Sequence, residues 1–161
     1  MARRRGLAMT PVRIPAELLR AIADHARACF PHECCGYLVG PKTGEAVDEV
    51  VACRNAQPDG DHPTHPERGA DAGFVIAGAE LFAFARSHDG PRPARVVYHS
   101  HPNGRAYFSD VDAANARAAG FAVQHLVVGV TAAGATEAAL FAARDDDAFV
   151  EISRWPAAVL G

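Results

Sequence analysis

The stretch from Ala94 to Asp112, ARVVYHSHPNGRAYFSDVD, constrains this chain more than any other. The apolar run before His99 predicts a strand, and a strand turns successive side chains to opposite faces. His99 and His101 therefore share one face. Pro102 stops the strand, because it has no N–H to give to a ladder, and Asn103-Gly104 turns the chain. Ser109 then caps a short helix, SDVDAANARAAG, that ends at Gly120. Positions i and i+3 are neighbours on a helix, which brings Ser109 and Asp112 to one face. Two imidazoles and one carboxylate match what a catalytic zinc takes, three protein ligands with a fourth position left for water. Each half also has an ordinary explanation. An H-x-H is often two polar residues at a sheet end, and S-x-x-D is a capping box that satisfies free backbone amides. Their conjunction on consecutive elements favours a metal site, where zinc brings the pKa of a water down to about 7.

The other elements follow from periodicity and breakers. Pro15 and the segment AELLRAIADHARACF predict a helix with Leu18, Leu19, Ile22 and Ala26 on its apolar side. HECCGYLVG reads as a buried strand and EAVDEVVACRN as a second. Residues 55–72 are rich in Pro, Gly, Asp and His and form the one long loop. AGAELFAFARSHDG is a helix ending at Gly90, and VQHLVVGV, TEAALFAAR and AFVEISR are three late strands. Helices interleave with strands early and strands run together late. That favours an α/β or α+β fold on one mixed sheet, with a strand order that cannot be read from the pattern.

At 161 residues, 49% hydrophobic and 22% charged, the chain fits one globular domain. The expected division is a disordered basic tail over 1–10, carrying Arg3-Arg4-Arg5, and a folded domain over 11–161. A net charge of -3 gives no reason to expect nucleic acid as a partner, since phosphate binding needs a basic surface. No apolar run is long enough to span a bilayer, and MARRRGLAMT lacks the apolar stretch of a secretory signal, so a cytoplasmic protein is expected. Cys29, Cys34, Cys35 and Cys53 are then expected as reduced, mostly buried thiols. Adjacent Cys34 and Cys35 lack the C-x-x-C spacing of a zinc knuckle.

H-S-H-P, six residues, then S-x-x-D, with Glu33 far upstream, resembles the JAMM (MPN-plus) zinc metalloproteases, which remove ubiquitin or ubiquitin-like proteins from conjugates. Glu33-Cys34-Cys35-Gly36-Tyr37-Leu38-Val39-Gly40 is similar to the E-x-C-G-x-L-x-G segment of the compact prokaryotic, sulfur-carrier-processing members. Asn55, Phe74-Val75-Ile76 and Glu80 are similar to the family's middle region. The resemblance implies a curved mixed sheet flanked by helices, with zinc at the sheet edge. It implies one Zn2+ per chain held by His99, His101 and Asp112. Glu33 would be the proton carrier outside the metal's ligand set, and Ser109 the hydroxyl that steadies the oxyanion. The implied substrate is a ubiquitin-like sulfur-carrier protein cut after its C-terminal Gly-Gly, with no nucleic-acid or membrane partner and no indication of oligomeric state. Three rivals are a non-catalytic scaffold of the same fold, a RadC-like protein linked to DNA repair, and a zinc nucleoside deaminase. The intact ligand set disfavours the first. The second carries H-N-H-P-S-G and extra N-terminal hairpins, and the third H-x-E and P-C-x-x-C, none of which occurs here. His62 and His65 in the long loop are weak metal candidates, His32 is expected to be structural or exposed, and Tyr107 and Phe108 either line a substrate channel or pack beneath the loop.

Overall fold

A computed structural model describes residues 9–57 and 73–161. His62, His65 and the arginine run lie outside the described residues. The first element is helix α1 (Ala16–Cys29), which buries Leu19, Ile22, Ala23 and Ala26, the helical spacing that the sequence presents. Strands β1 (Cys35–Val39) and β2 (Glu49–Cys53) follow. Helix α2 (Gly78–Ser87), strand β3 (Ala94–His101) and helix α3 (Asp110–Ala119) come next. The chain closes with β4 (Gln124–Thr131), β5 (Gly134–Ala143), β6 (Phe149–Pro156) and a short helix α4 (Ala157–Leu160).

The six strands form one sheet in the order β2-β1-β3-β4-β5-β6. Only β3 and β4 run parallel, because α3 carries the chain back between them; every other pairing is antiparallel. Side-chain alternation divides the sheet into two faces. Leu38, Val96, Tyr98, Leu126, Val128 and Leu140 pack under α1 and α4 in the main core. Each such fully buried Leu contributes about 1.5–3 kcal/mol of burial. Tyr98 keeps its hydroxyl satisfied there by a 2.7 Å hydrogen bond with His25 Nδ1 on α1. The opposite face carries Tyr37 and Val97 against Phe84 of α2, and Val127, Ala139 and Phe141 beneath Phe108. His99 and His101 fall on this second face, in step with Val97.

Three boundaries depart from expectation. Residues 45–48 do not extend β2 but pair with the N-terminal segment: Arg13 N donates to Glu45 O at 3.0 Å and Val47 N to Arg13 O at 3.1 Å. Helix α2 stops at Ser87, whose hydroxyl donates to the Phe84 carbonyl at 2.6 Å and accepts from Ala94 N at 2.9 Å. The last turn, α4, was not expected at all; it forms because Leu160 finds a fully buried place in the main core. Nearer the N-terminus, the Thr10 carbonyl accepts from Gln124 Nε2 at 2.6 Å.

The β3–α3 loop lies directly on β4. Gly104 adopts φ +77, and a Cβ placed on Gly129 would meet the Gly104 carbonyl carbon and oxygen at 2.6 Å and Thr136 Oγ1 at 2.7 Å. Two of these atoms are backbone and cannot swing aside. Gly129→Ala should therefore lower the unfolding free energy by about 1–3 kcal/mol in urea denaturation. An unchanged midpoint would show that the loop does not rest on this strand.

Candidate metal centre

Three electron-rich atoms converge at the C-terminal end of β3. His99 Nε2 lies 3.1 Å from His101 Nε2 and 3.1 Å from Asp112 Oδ2, and His101 Nε2 lies 3.2 Å from the same oxygen. Strand alternation supplies the two imidazoles, and the first turn of α3 supplies the carboxylate. All three residues are buried, with exposures of 1%, 5% and 8%. The capping box is also formed. Ser109 Oγ accepts from Asp112 N at 3.0 Å, while Asp112 Oδ2 accepts from Ser109 N at 3.0 Å. The ordinary reading of S-x-x-D therefore holds, and the Asp112 oxygen that caps the helix start also faces the two imidazoles.

The proton inventory shows what this triangle needs. His101 Nδ1 lies 3.1 Å from the Arg105 carbonyl, an acceptor only, so Nδ1 carries the proton and Nε2 presents a lone pair to the centre. Burial alone would raise the Asp112 carboxyl; the two imidazoles override that and hold it well below the usual carboxylate range, so it is ionised. Desolvation lowers the pKa of His99 and keeps it neutral. With both imidazoles neutral, as metal binding requires, at most one proton, from His99 Nε2, enters a triangle of three electron-rich atoms. A cation satisfies all three at once. Neighbouring ligands around a tetrahedral zinc at 2.0–2.1 Å stand about 3.3 Å apart, close to these separations, and two imidazoles with a carboxylate suit that metal. The residues present fit zinc.

Glu33, 6% exposed, stands just before β1 on the neighbouring strand. The register pairs Cys35 with His99, which brings the residues ahead of Cys35 to the end of β3. Glu33, His99 and His101 each offer a ligand atom within 4.8 Å of one another. Two contacts fix its backbone. Ser100, between the histidines but on the other face, accepts from Cys34 N through its hydroxyl at 2.8 Å, and its own N–H donates to Cys34 O at 3.1 Å. Asn55 Nδ2 donates to the Glu33 carbonyl at 3.0 Å and to Gly73 O at 2.9 Å. Asn55 Oδ1 in turn accepts from Gln57 N and Val75 N. Asn55 therefore ties Glu33 to the segment that carries Phe74, whose ring stacks on His99 with centroids 4.5 Å apart.

Around the polar centre the surface is aromatic. Tyr107, 44% exposed, lies against His101 with ring centroids 4.7 Å apart. Phe108 packs beneath the loop on Phe141 and Phe149. Tyr107 thus stands beside the centre, while Phe108 both packs beneath the loop and lines the neighbouring cavity. A cavity of about 410 Å³ between α2 and α3 shares Phe74 and Asp112 with the centre and is otherwise mostly apolar. His125, on β4 opposite Val97, also lines it. His125 escaped the sequence reading, although a polar pair, Gln124-His125, opening an apolar strand was the available signal. His32 is exposed. All four cysteines are free thiols, and burial raises the pKa of each.

A mixed α+β domain with a buried two-histidine, one-carboxylate centre at a strand end is the class that fold and site define together. The chain belongs to the prokaryotic homologues of the JAB domain, whose family profile matches residues 15–145. It is 30% identical over 99 residues to CysO-cysteine peptidases of Mycobacterium bovis and Mycobacterium tuberculosis, an alignment covering 62% of this chain and 61% of those proteins. Two solution structures share the fold. A protein from Desulfitobacterium hafniense aligns with a TM-score of 0.60 at 21% identity, and one from Salinibacter ruber with 0.58 at 22%. Each alignment covers 86% of this chain and 87% of the other. No helix among the described residues is long and apolar enough to cross a membrane.

Burial pushes the pKa of His125 down to about 4, against about 6.5 for a free imidazole. Between those values the unfolded chain binds a proton that the folded chain refuses, so stability must fall as the pH is lowered from about 6.5 toward 4. His125→Phe keeps a ring beside Phe108 and Phe149 and should flatten this slope in denaturant titrations across that range. An unaltered slope would assign the dependence to other groups.

Proposed function

We propose that this chain is a zinc-dependent peptidase that cuts after the C-terminal Gly-Gly of a ubiquitin-like sulfur-carrier protein, with one zinc per chain. The observation that carries this reading is the buried triangle of His99, His101 and Asp112 donors with Glu33 beside it. The mycobacterial relatives, named for a CysO-cysteine substrate, support the direction of the chemistry. His99, His101 and Asp112 would hold the zinc, which would supply Lewis-acid polarisation of a water and of the scissile carbonyl.

The remaining steps belong to the protein's own side chains. Glu33, desolvated and within reach of both imidazoles, takes a proton from the attacking water and passes it to the leaving amine. Ser109 uses a lone pair, not its proton, in the helix cap, so its O–H stays available to donate to the oxyanion as charge develops there. The aromatic wall of Phe74 and Tyr107 beside the histidines limits the water that reaches them. Two glycines let a substrate tail lie extended in a narrow channel where larger side chains would clash.

Glu33→Gln keeps the shape of the side chain and removes the base. It should retain zinc and lose turnover by a factor on the order of 10²–10⁴, read by mass spectrometry of a folded Gly-Gly carrier extended by a few residues or joined to an amine. His99→Ala/His101→Ala should lose the metal itself in elemental analysis, where wild type holds close to one equivalent. Wild-type turnover in Glu33→Gln, or full zinc in the double variant, would overturn the assignment.

A further inference from the structure

The peptide unit between Arg105 and Ala106 stands between His101 and a carboxylate carried by a different strand. Its carbonyl accepts from His101 Nδ1 at 3.1 Å, and its N–H donates to Glu137 Oε2 at 2.8 Å. In a trans peptide these two groups point in opposite directions, so carboxylate, amide and imidazole form one line of hydrogen bonds with their dipoles head to tail. The carboxylate is itself fixed. Arg154 Nη1 lies 2.9 Å from Glu137 Oε2, and Arg154 Nη2 donates to the Ala106 carbonyl at 2.8 Å. Thr136 Oγ1 holds the preceding turn by donating to the Gly104 carbonyl at 2.6 Å. Ala106, 1% exposed, anchors the unit in the apolar cluster with Val127, Ala139 and Phe141.

We propose that Glu137 is a positioning residue for the metal centre. Through the Arg105–Ala106 peptide it holds His101 in the tautomer whose Nε2 lone pair faces His99 and Asp112. The proposal rests on reading this centre as metal-binding. A histidine that binds a metal commonly gives its other ring proton to a carboxylate or a backbone carbonyl, which sets the tautomer and raises the basicity of the binding nitrogen. Here the two arrangements are joined in series. The Glu137 charge polarises the amide, and the polarised carbonyl becomes the stronger acceptor for His101 Nδ1–H. The Ala106 N–H, and after it Arg154, hold the Glu137 carboxyl below the usual carboxylate range, so the negative charge is present at neutral pH.

Zinc affinity by chelator competition is measured for wild type, Glu137→Ala, Glu137→Gln and Glu151→Gln. Glu137→Ala should bind zinc about 10–100-fold more weakly. Glu137→Gln, whose side-chain oxygen still accepts from Ala106 N–H, should lose less and so rescue part of the effect. Glu151 bonds the same Arg154 at 2.7 Å without touching the peptide, so Glu151→Gln should stay within about twofold of wild type. Nitrogen-15 NMR of the imidazoles in metal-free protein gives a readout that needs neither zinc nor turnover. His101 should be protonated at Nδ1 in wild type and a mixture of tautomers in Glu137→Ala. An unchanged tautomer in Glu137→Ala, or equal loss of zinc in Glu137→Ala and Glu151→Gln, would overturn the proposal. If wild type binds no zinc, the metal reading fails, and the tautomer comparison still decides the role of Glu137.

Discussion

Three buried heteroatoms within 3.2 Å of one another, with too few protons to separate them, set the terms for much of this fold. An ionised carboxylate taken out of water is strongly destabilising unless it is paired and hydrogen-bonded. Asp112 meets that condition only in part, with the Ser109 amide donating to the same oxygen that faces the two imidazoles. The arrangement holds only if the histidines cannot turn away, and β3 ensures that by sitting inside the sheet with β1 on one side and β4 on the other. The main core under α1 carries the stability of the domain on the opposite face. The centre can therefore be polar and poorly self-satisfied without unfolding its surroundings.

The parts of the site that were legible in the sequence are those set by local periodicity. A strand period of two placed His99 and His101 together, and a helical spacing of three joined Ser109 to Asp112. Caps and breakers located α1, α3 and the ends of β3 closely. What depends on pairing between distant segments was hidden. The strand order follows from register, and nothing local announces that Cys35 lies opposite His99 and so delivers Glu33 to the strand end. The resemblance pointed to Glu33 by pattern, while its physical reason lies in that register and in Asn55 and Ser100. The contacts of Thr136, Glu137 and Arg154 with the β3–α3 loop were equally invisible, since on β5 and β6 these residues look like the outward-facing positions of any edge region.

Polarity is graded across the second face of the sheet. Next to the charged triangle lie the rings of Phe74, Tyr107 and Phe108, and beyond them the apolar cavity between α2 and α3. Such a gradient strengthens electrostatics at the centre, because fewer water dipoles screen it. It also explains why His125 and His99 behave alike although only His99 joins the triangle. Each is a neutral imidazole in an environment that disfavours charge, and what distinguishes them is whether a carboxylate stands opposite.

The parallel pairing of β3 with β4 also bears on how the molecule comes into being. A parallel pair has to wait for its crossover, and here that crossover carries Ser109 and Asp112, while Glu33 arrives through a separate strand pairing. No short stretch of the chain holds the whole set of polar groups, and long-range contacts form late because closing large loops opposes them entropically. A chain that has made only its helices and hairpins thus lacks the assembled set. The buried centre is the product of finished folding, and no partly folded intermediate holds it whole.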